Sequence, residues 1–156
     1  MLYQPSDPIV KRHIELMETL EDSRPKGWYR KKVSVWYIDD FIASAVQDFG
    51  NSARVFTRYH FIPFNRNDSV IPLSILDHSV PMLKTQLEYC KEKEYDNAFI
   101  SIENNRVRVL QKAAKWYKKS GVESILLNDK YKTAEDSYQN ILLFPIKNTH
   151  FNLEKL

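Results

Sequence analysis

With 156 residues, 43% of them hydrophobic, the chain is sized for one domain over 1–156 with a core of its own. Its 23 Lys and Arg against 20 Asp and Glu leave a formal charge of +3, too small for bulk charge to imply a nucleic-acid partner. Cys90 is the only cysteine, which excludes an intramolecular disulfide and any cysteine-based metal spacing; without a secretory signal or a bilayer-length apolar run, the expected setting is soluble, reducing and cytoplasmic.

Ser6 or Asp7 followed by Pro8 predicts a helix start, because a side-chain oxygen there caps free N–H groups and proline at the first helical position loses no internal bond. A helix over 8–22 follows, with Ile9, Val10, Ile14, Met17 and Leu20 at helical spacing, and the turn residues Ser23-Arg-Pro-Lys-Gly27 end it. From Tyr29 to Pro63, β-branched and aromatic residues broken by small turn clusters predict three antiparallel strands, at 31–38, 41–48 and 53–62. Residues 64–79 read as a long loop, since Asn65, Asn67, Asp68, Pro72 and Asp77 break any period. A helix over 80–93 uses Met82, Leu83, Leu87 and Cys90; a strand at 97–102 and a helix over 106–119 closed by Gly121 come next. Strands at 122–127 and 138–146, joined by a polar connection, finish the core, and the residues from Lys147 are peripheral. This order predicts a mixed sheet with helices packed on it, α/β or α+β by pattern alone.

Two stretches carry a family resemblance. Phe61-Ile-Pro-Phe-Asn-Arg66, followed at a distance by Met82-Leu83, and Asn97-Ala-Phe-Ile-Ser-Ile-Glu-Asn-Asn105, followed by Tyr117-Lys-Lys-Ser-Gly-Val122, resemble the cofactor-binding half of the GNAT acyl-CoA N-acyltransferases. The resemblance implies a mixed, mostly antiparallel sheet of about six strands with helices on both faces. It departs from the family in two places: Asn67, Asp68 and Ser69 stand where that family has glycines, and Val122 replaces a phenylalanine. Glycine would let the backbone approach a pyrophosphate with no Cβ in the way, and Asn and Asp are the residues that best tolerate the same backbone region.

The resemblance further implies acetyl-CoA or another acyl-CoA as co-substrate and an amine acceptor, either a small molecule or a macromolecule. Arg66 and Asn67, with the N–H groups of Ser79 and Val80 at the expected helix start, are the candidates for the cofactor's phosphates. Asn104 and Asn105 are the candidates beside the pantetheine arm, and the backbone N–H groups of Phe61 and Ile62 those for the oxyanion. Tyr117 suits a general acid, since a neutral hydroxyl can protonate a departing thiolate. A base is needed as well; His60, Glu103, Asp39 and Asp40 fall at strand ends, and His60 has the most suitable intrinsic pKa. Each candidate has a plainer reading: Tyr117 as a packing residue beside Trp116, Arg66 as a solvated loop cation. Two other functions compete with acyl transfer. One is a GNAT-shaped binding protein that has lost acyl-CoA; the other is a nucleic-acid-directed acyltransferase or binder, served by the basic run Arg106, Arg108, Lys112, Lys115, Lys118 and Lys119. With no Gly-x-Ser-x-Gly, HExxH or Walker pattern, hydrolase, zinc-protease and nucleotidase readings lack support.

Overall fold

The computed structural model describes residues 2–20, 32–39, 42–59, 73–103, 107–132 and 138–151. Asp7 caps the first helix as its residue type predicts: its Oδ1 accepts from the Ile9 N–H at 3.0 Å, and its carbonyl from Val10 and Lys11. The helix, α1, covers Pro8–Leu20, and a two-residue strand, β1 (Leu2–Tyr3), precedes it. The meander follows as β2 (Val33–Ile38), β3 (Ile42–Phe49) and β4 (Ser52–Tyr59). Then come α2 (Leu73–Glu92), β5 (Asn97–Glu103), α3 (Val107–Lys119), β6 (Ile125–Lys132) and β7 (Tyr138–Pro145). The strands form one mostly antiparallel sheet in the order β1-β2-β3-β4-β5-β7-β6. β4 and β5 are parallel neighbours, as a strand–helix–strand crossover requires.

The chain divides into two compact units, Met1–Asp48 with Phe56–Gln86, and Phe49–Val55 with Leu87–Leu156. In the first unit, β2 and β3 are in antiparallel register with Trp36 opposite Ala45 and Ile38 opposite Ala43. These four side chains form a buried cluster with Val10 and Ile14 of α1. Side chains alternate across a strand, so Ser44 points to the other face, where the Nε2 of Gln86 on α2 donates to its Oγ at 2.8 Å. The two helices therefore lie on opposite faces of the sheet. In the second unit, Phe99 of β5 packs with Ile141 and Leu143 of β7 on one face. Its ring lies edge-on to Phe151 at 4.8 Å between centroids and tilted to Phe49 at 6.1 Å. The opposite face carries Phe144, which meets Tyr117 of α3 edge-to-face at 6.1 Å.

Three expectations need correction. The stretch 73–79 is helical, so α2 starts seven residues before the predicted 80; residues 64–72, the rest of the expected loop, lie outside the described residues, as do 60–62 of the expected strand. Pro81 sits inside α2, where it removes the N–H that would bond the carbonyl of residue 77. The buried side of α2 is Ser79, Met82, Leu83, Gln86 and Cys90, a helical spacing with two polar members that an apolar count overlooks. β6 continues to Lys132, into what read as a polar connection, because pairing with β7 resumes at Tyr131 after an irregularity beyond Leu127.

Candidate functional site

β5 is built asymmetrically. Along one edge all seven of its residues, Asn97 to Glu103, pair with Pro145 to Gln139 of β7. Along the other, the parallel ladder with β4 has three pairs, Ser52–Asn97, Ala53–Ala98 and Arg54–Phe99. It ends there, although β4 continues to Tyr59 and β5 to Glu103. Among the described residues, β5 has a ladder on one edge only from Ile100 onward. Ser101 lies in this stretch, and its Oγ is buried without a hydrogen-bond partner among the described residues. A buried hydroxyl without a partner carries a desolvation cost and is ready to bond whatever polar group arrives.

The paired half of the site is held from below. Asn97, almost fully buried, accepts from the Ser52 hydroxyl through Oδ1 and donates through Nδ2 to the His150 carbonyl at 2.8 Å. Beside it the Asp96 N–H donates to the Asn51 carbonyl, and the Asp96 carbonyl accepts from the N–H groups of Ile146, Lys147 and Asn148. The start of β5 is thus tied to the turn before β4 and to the segment after β7.

Tyr117 is buried in the last turn of α3, against Phe144, the cross-strand partner of Ala98. Ala98 in turn belongs to the second of the three β4–β5 pairs, one before the ladder stops. The spacing from Tyr117 to Gly121 has a backbone reason. The Val122 N–H donates to the Tyr117 carbonyl at 2.9 Å and the Gly121 N–H to that of Lys118 at 3.1 Å, with Gly121 at φ +86°: a Schellman cap, which needs glycine at this position.

The structure corrects one part of the predicted site. Ser79 and Val80 are the seventh and eighth residues of α2, where N–H groups bond within the helix, so they do not form its open N-terminal end. The Ser79 side chain is buried. His60, Phe61, Ile62, Arg66, Asn67, Asn104 and Asn105 lie outside the described residues, as does Asp40. The remaining nucleophile type is disabled: burial pushes the Cys90 thiol up to about 12, so it stays protonated at neutral pH. Tyr37 is also pushed up, by burial first and then by the Asp39 carboxylate that its hydroxyl bonds at 3.3 Å. No group of His, Cys, Asp and Glu able to hold a metal occurs among the described residues, and no described helix is long and apolar enough to cross a membrane.

The sequence points toward Ser101 only through its place in the pantetheine-like strand, while Asn97 and the Ser44–Gln86 pair escape notice altogether. Buried polar residues at inward positions break the apolar periodicity from which a core is read.

No protein-family model matches the sequence, and no curated protein is similar to it. Solved structures are. The ribosomal-protein-S18-alanine N-acetyltransferase from Escherichia coli superposes over 99% of this chain and 99% of its own, with a TM-score of 0.54 at 10% identity. A probable acetyltransferase from Staphylococcus epidermidis superposes over 93% of this chain and 98% of its own, with a TM-score of 0.51 at 12% identity. An N-acetyltransferase from Staphylococcus aureus, of whose length the chain spans 62%, gives a TM-score of 0.42 at 12% identity. The chain has a GNAT-like fold, with seven strands, mostly antiparallel, and three helices among the described residues.

Proposed function

We propose that this protein transfers an acetyl or related acyl group from acyl-CoA to a primary amine. The observation that carries the reading is the early end of the β4–β5 ladder, which leaves one edge of β5 without a partner strand from Ile100 among the described residues. An extended amide chain such as pantetheine is the ligand such an edge suits, since its amides can complete the strand's hydrogen bonds. The buried Ser101 hydroxyl in the same stretch adds a side-chain group for it. The GNAT-like fold supports an acyl-CoA co-substrate in general terms.

In this reading the amine nitrogen attacks the thioester carbonyl, forming the C–N bond, and the tetrahedral intermediate collapses with cleavage of the C–S bond. The N–H groups of Phe61 and Ile62 stabilise the oxyanion. Tyr117 gives its phenolic proton to the departing thiolate, and His60 removes the proton from the attacking nitrogen through water. Arg66 and Asn67 hold the cofactor's phosphates, and Asn104 and Asn105 flank the pantetheine arm. The acceptor is an amine on a small molecule or a protein; the Escherichia coli structural neighbour is named for an alanine of ribosomal protein S18, an amine of the second kind. The compartment this chemistry suits is the cytoplasm, where acyl-CoA is made.

The test has two arms. Saturating acetyl-CoA is expected to raise the melting temperature, by about 2.7 kcal/mol of stabilisation at a hundred times Kd. Tyr117→Phe keeps the ring against Phe144 and removes the donor, so kcat should fall roughly 10²–10⁴-fold with acetyl-CoA binding unchanged. No stabilisation by acetyl-CoA leaves a GNAT-shaped protein of another function, and an unimpaired phenylalanine variant returns Tyr117 to packing alone.

A further inference from the structure

We infer that the exposed face of α3 is a docking surface for a nucleic-acid backbone. The helix carries Arg108, Lys112, Lys115, Lys118 and Lys119 and no acidic residue. The whole chain nets +3, so the residues outside α3 are together net acidic. All five cations are exposed, and none has an ion-pair partner among the described residues. At 100° per residue, Arg108, Lys112, Lys115 and Lys119 fall within roughly 60° of arc, and at 1.5 Å per residue they run about 16 Å along the axis. The result is a straight ridge of positive charge.

An ordinary solvated helix face looks different. α1 places Glu15 four residues after Lys11, and α2 places Glu88 four residues after Lys84, the spacing at which opposite charges support a helix. In α3 the spacings 108/112, 112/115, 115/118 and 115/119 set like charges beside one another, which opposes folding. The helix dipole accounts for Lys118 and Lys119 in the last turn but works against Arg108 in the first, where no acid offsets it. A stripe that opposes its own helix fits a partner that supplies the missing negative charge.

The chemistry of that partner follows from what the ridge lacks. A protein interface needs an apolar, desolvated centre. Here the apolar side of α3 is turned inward, with Leu110 and Tyr117 buried, and Ile125, the one exposed large hydrophobic among the described residues, is off the helix. A nucleic-acid backbone asks only for a line of cations, and about 16 Å of duplex axis carries about five phosphates per strand. Half-buried Trp116, next to Lys112 by helical azimuth, adds an aromatic group of the kind on which bases stack. The surface is independent of acyl transfer and involves none of the residues assigned to it above.

Fluorescence anisotropy of the full chain with a labelled 20-nucleotide single-stranded RNA and with a 20-base-pair DNA duplex, between 50 and 300 mM NaCl, tests the proposal. Four to five phosphate contacts predict a slope of log K against log[NaCl] of about −3 for the single strand and about −4 for the duplex. The double variant K112E/K115E is expected to bind at least about tenfold more weakly at 50 mM NaCl, and its slope should be shallower by about 1.5, with unchanged circular dichroism and a melting temperature no lower than the parent's, since the replacements relieve the like-charge spacings. No binding to either probe at 100 µM protein overturns the proposal, as does equal binding by the variant. Displacement of the RNA by stoichiometric acetyl-CoA assigns the ridge to the cofactor's phosphates and overturns it too. Phosphatidylserine vesicles competing as well as RNA at equal phosphate overturn it in favour of a membrane surface.

Discussion

The two edges of β5 make opposite use of one strand. The edge against β7 is paired at every residue, backed by Phe99, Ile141 and Leu143 on one side and by Phe144 and Tyr117 on the other. The edge against β4 is paired for three residues and then stops, and the first buried polar atom past the stop, Ser101 Oγ, has no described partner. Local stability and local availability are thus separated across the width of a single strand. A backbone that must bond a ligand needs free groups, and free groups are tolerable only where the opposite edge fixes the strand.

The largest expected effect comes from breaking the closed edge. Phe99→Ala removes a fully buried ring flanked by Phe49 and Phe151, and should cost about 3–5 kcal/mol in urea denaturation. A loss below 1 kcal/mol would show that the Phe99 cluster does not anchor the strand. Next comes the tie at the shared end. Asn97→Ala leaves the Ser52 hydroxyl and the His150 carbonyl without their partner, and the expected loss is about 1–3 kcal/mol, with faster hydrogen exchange of the amides of 146–148. Unchanged exchange would mean that the Asp96 carbonyl alone holds that segment.

The smallest effect is the most informative about the open edge. Ser101→Ala deletes a hydroxyl that bonds nothing described, so the unliganded protein should be unchanged or more stable by up to about 1 kcal/mol. The thermal shift produced by acetyl-CoA should shrink in the same variant. A serine-to-alanine change that leaves that shift intact would place the pantetheine away from this hydroxyl.

Much of the closed half was legible in the sequence. Alternation in the meander, the Asp7-Pro8 start and Gly121 past the end of α3 are local signals, and each matches a local structure. The parallel pairing of β4 with β5 followed from the crossover alone. What escaped is mostly non-local or polar. The stretch 73–79 read as loop because its Asp77 and nearby breakers were weighed without the packing that holds α2 together. Gln86 drew no notice, since only the fold brings it to Ser44, 42 positions away in sequence. The early end of the β4–β5 ladder has no sequence signal of its own, because strand propensity continues on both sides of the gap. For the site, Tyr117 and Gly121 were singled out by the family resemblance, and in the structure their spacing serves a helix cap, so the spacing alone carries no catalytic meaning.

The sheet order has a consequence for how the protein is made. β7 lies between β5 and β6, although it is the last of the three in the chain. During synthesis β5 and β6 emerge first, and neither can pair with the other in the native way, so both wait with bare edges for a strand still to be translated. The second unit can close only after Pro145 has left the ribosome, and the bonds from Asn97 and Asp96 to residues 146–150 come later still. A nascent chain stopped before residue 138 would present two unpartnered strand edges at once, the state in which chaperones are needed and chain-to-chain association is most favoured.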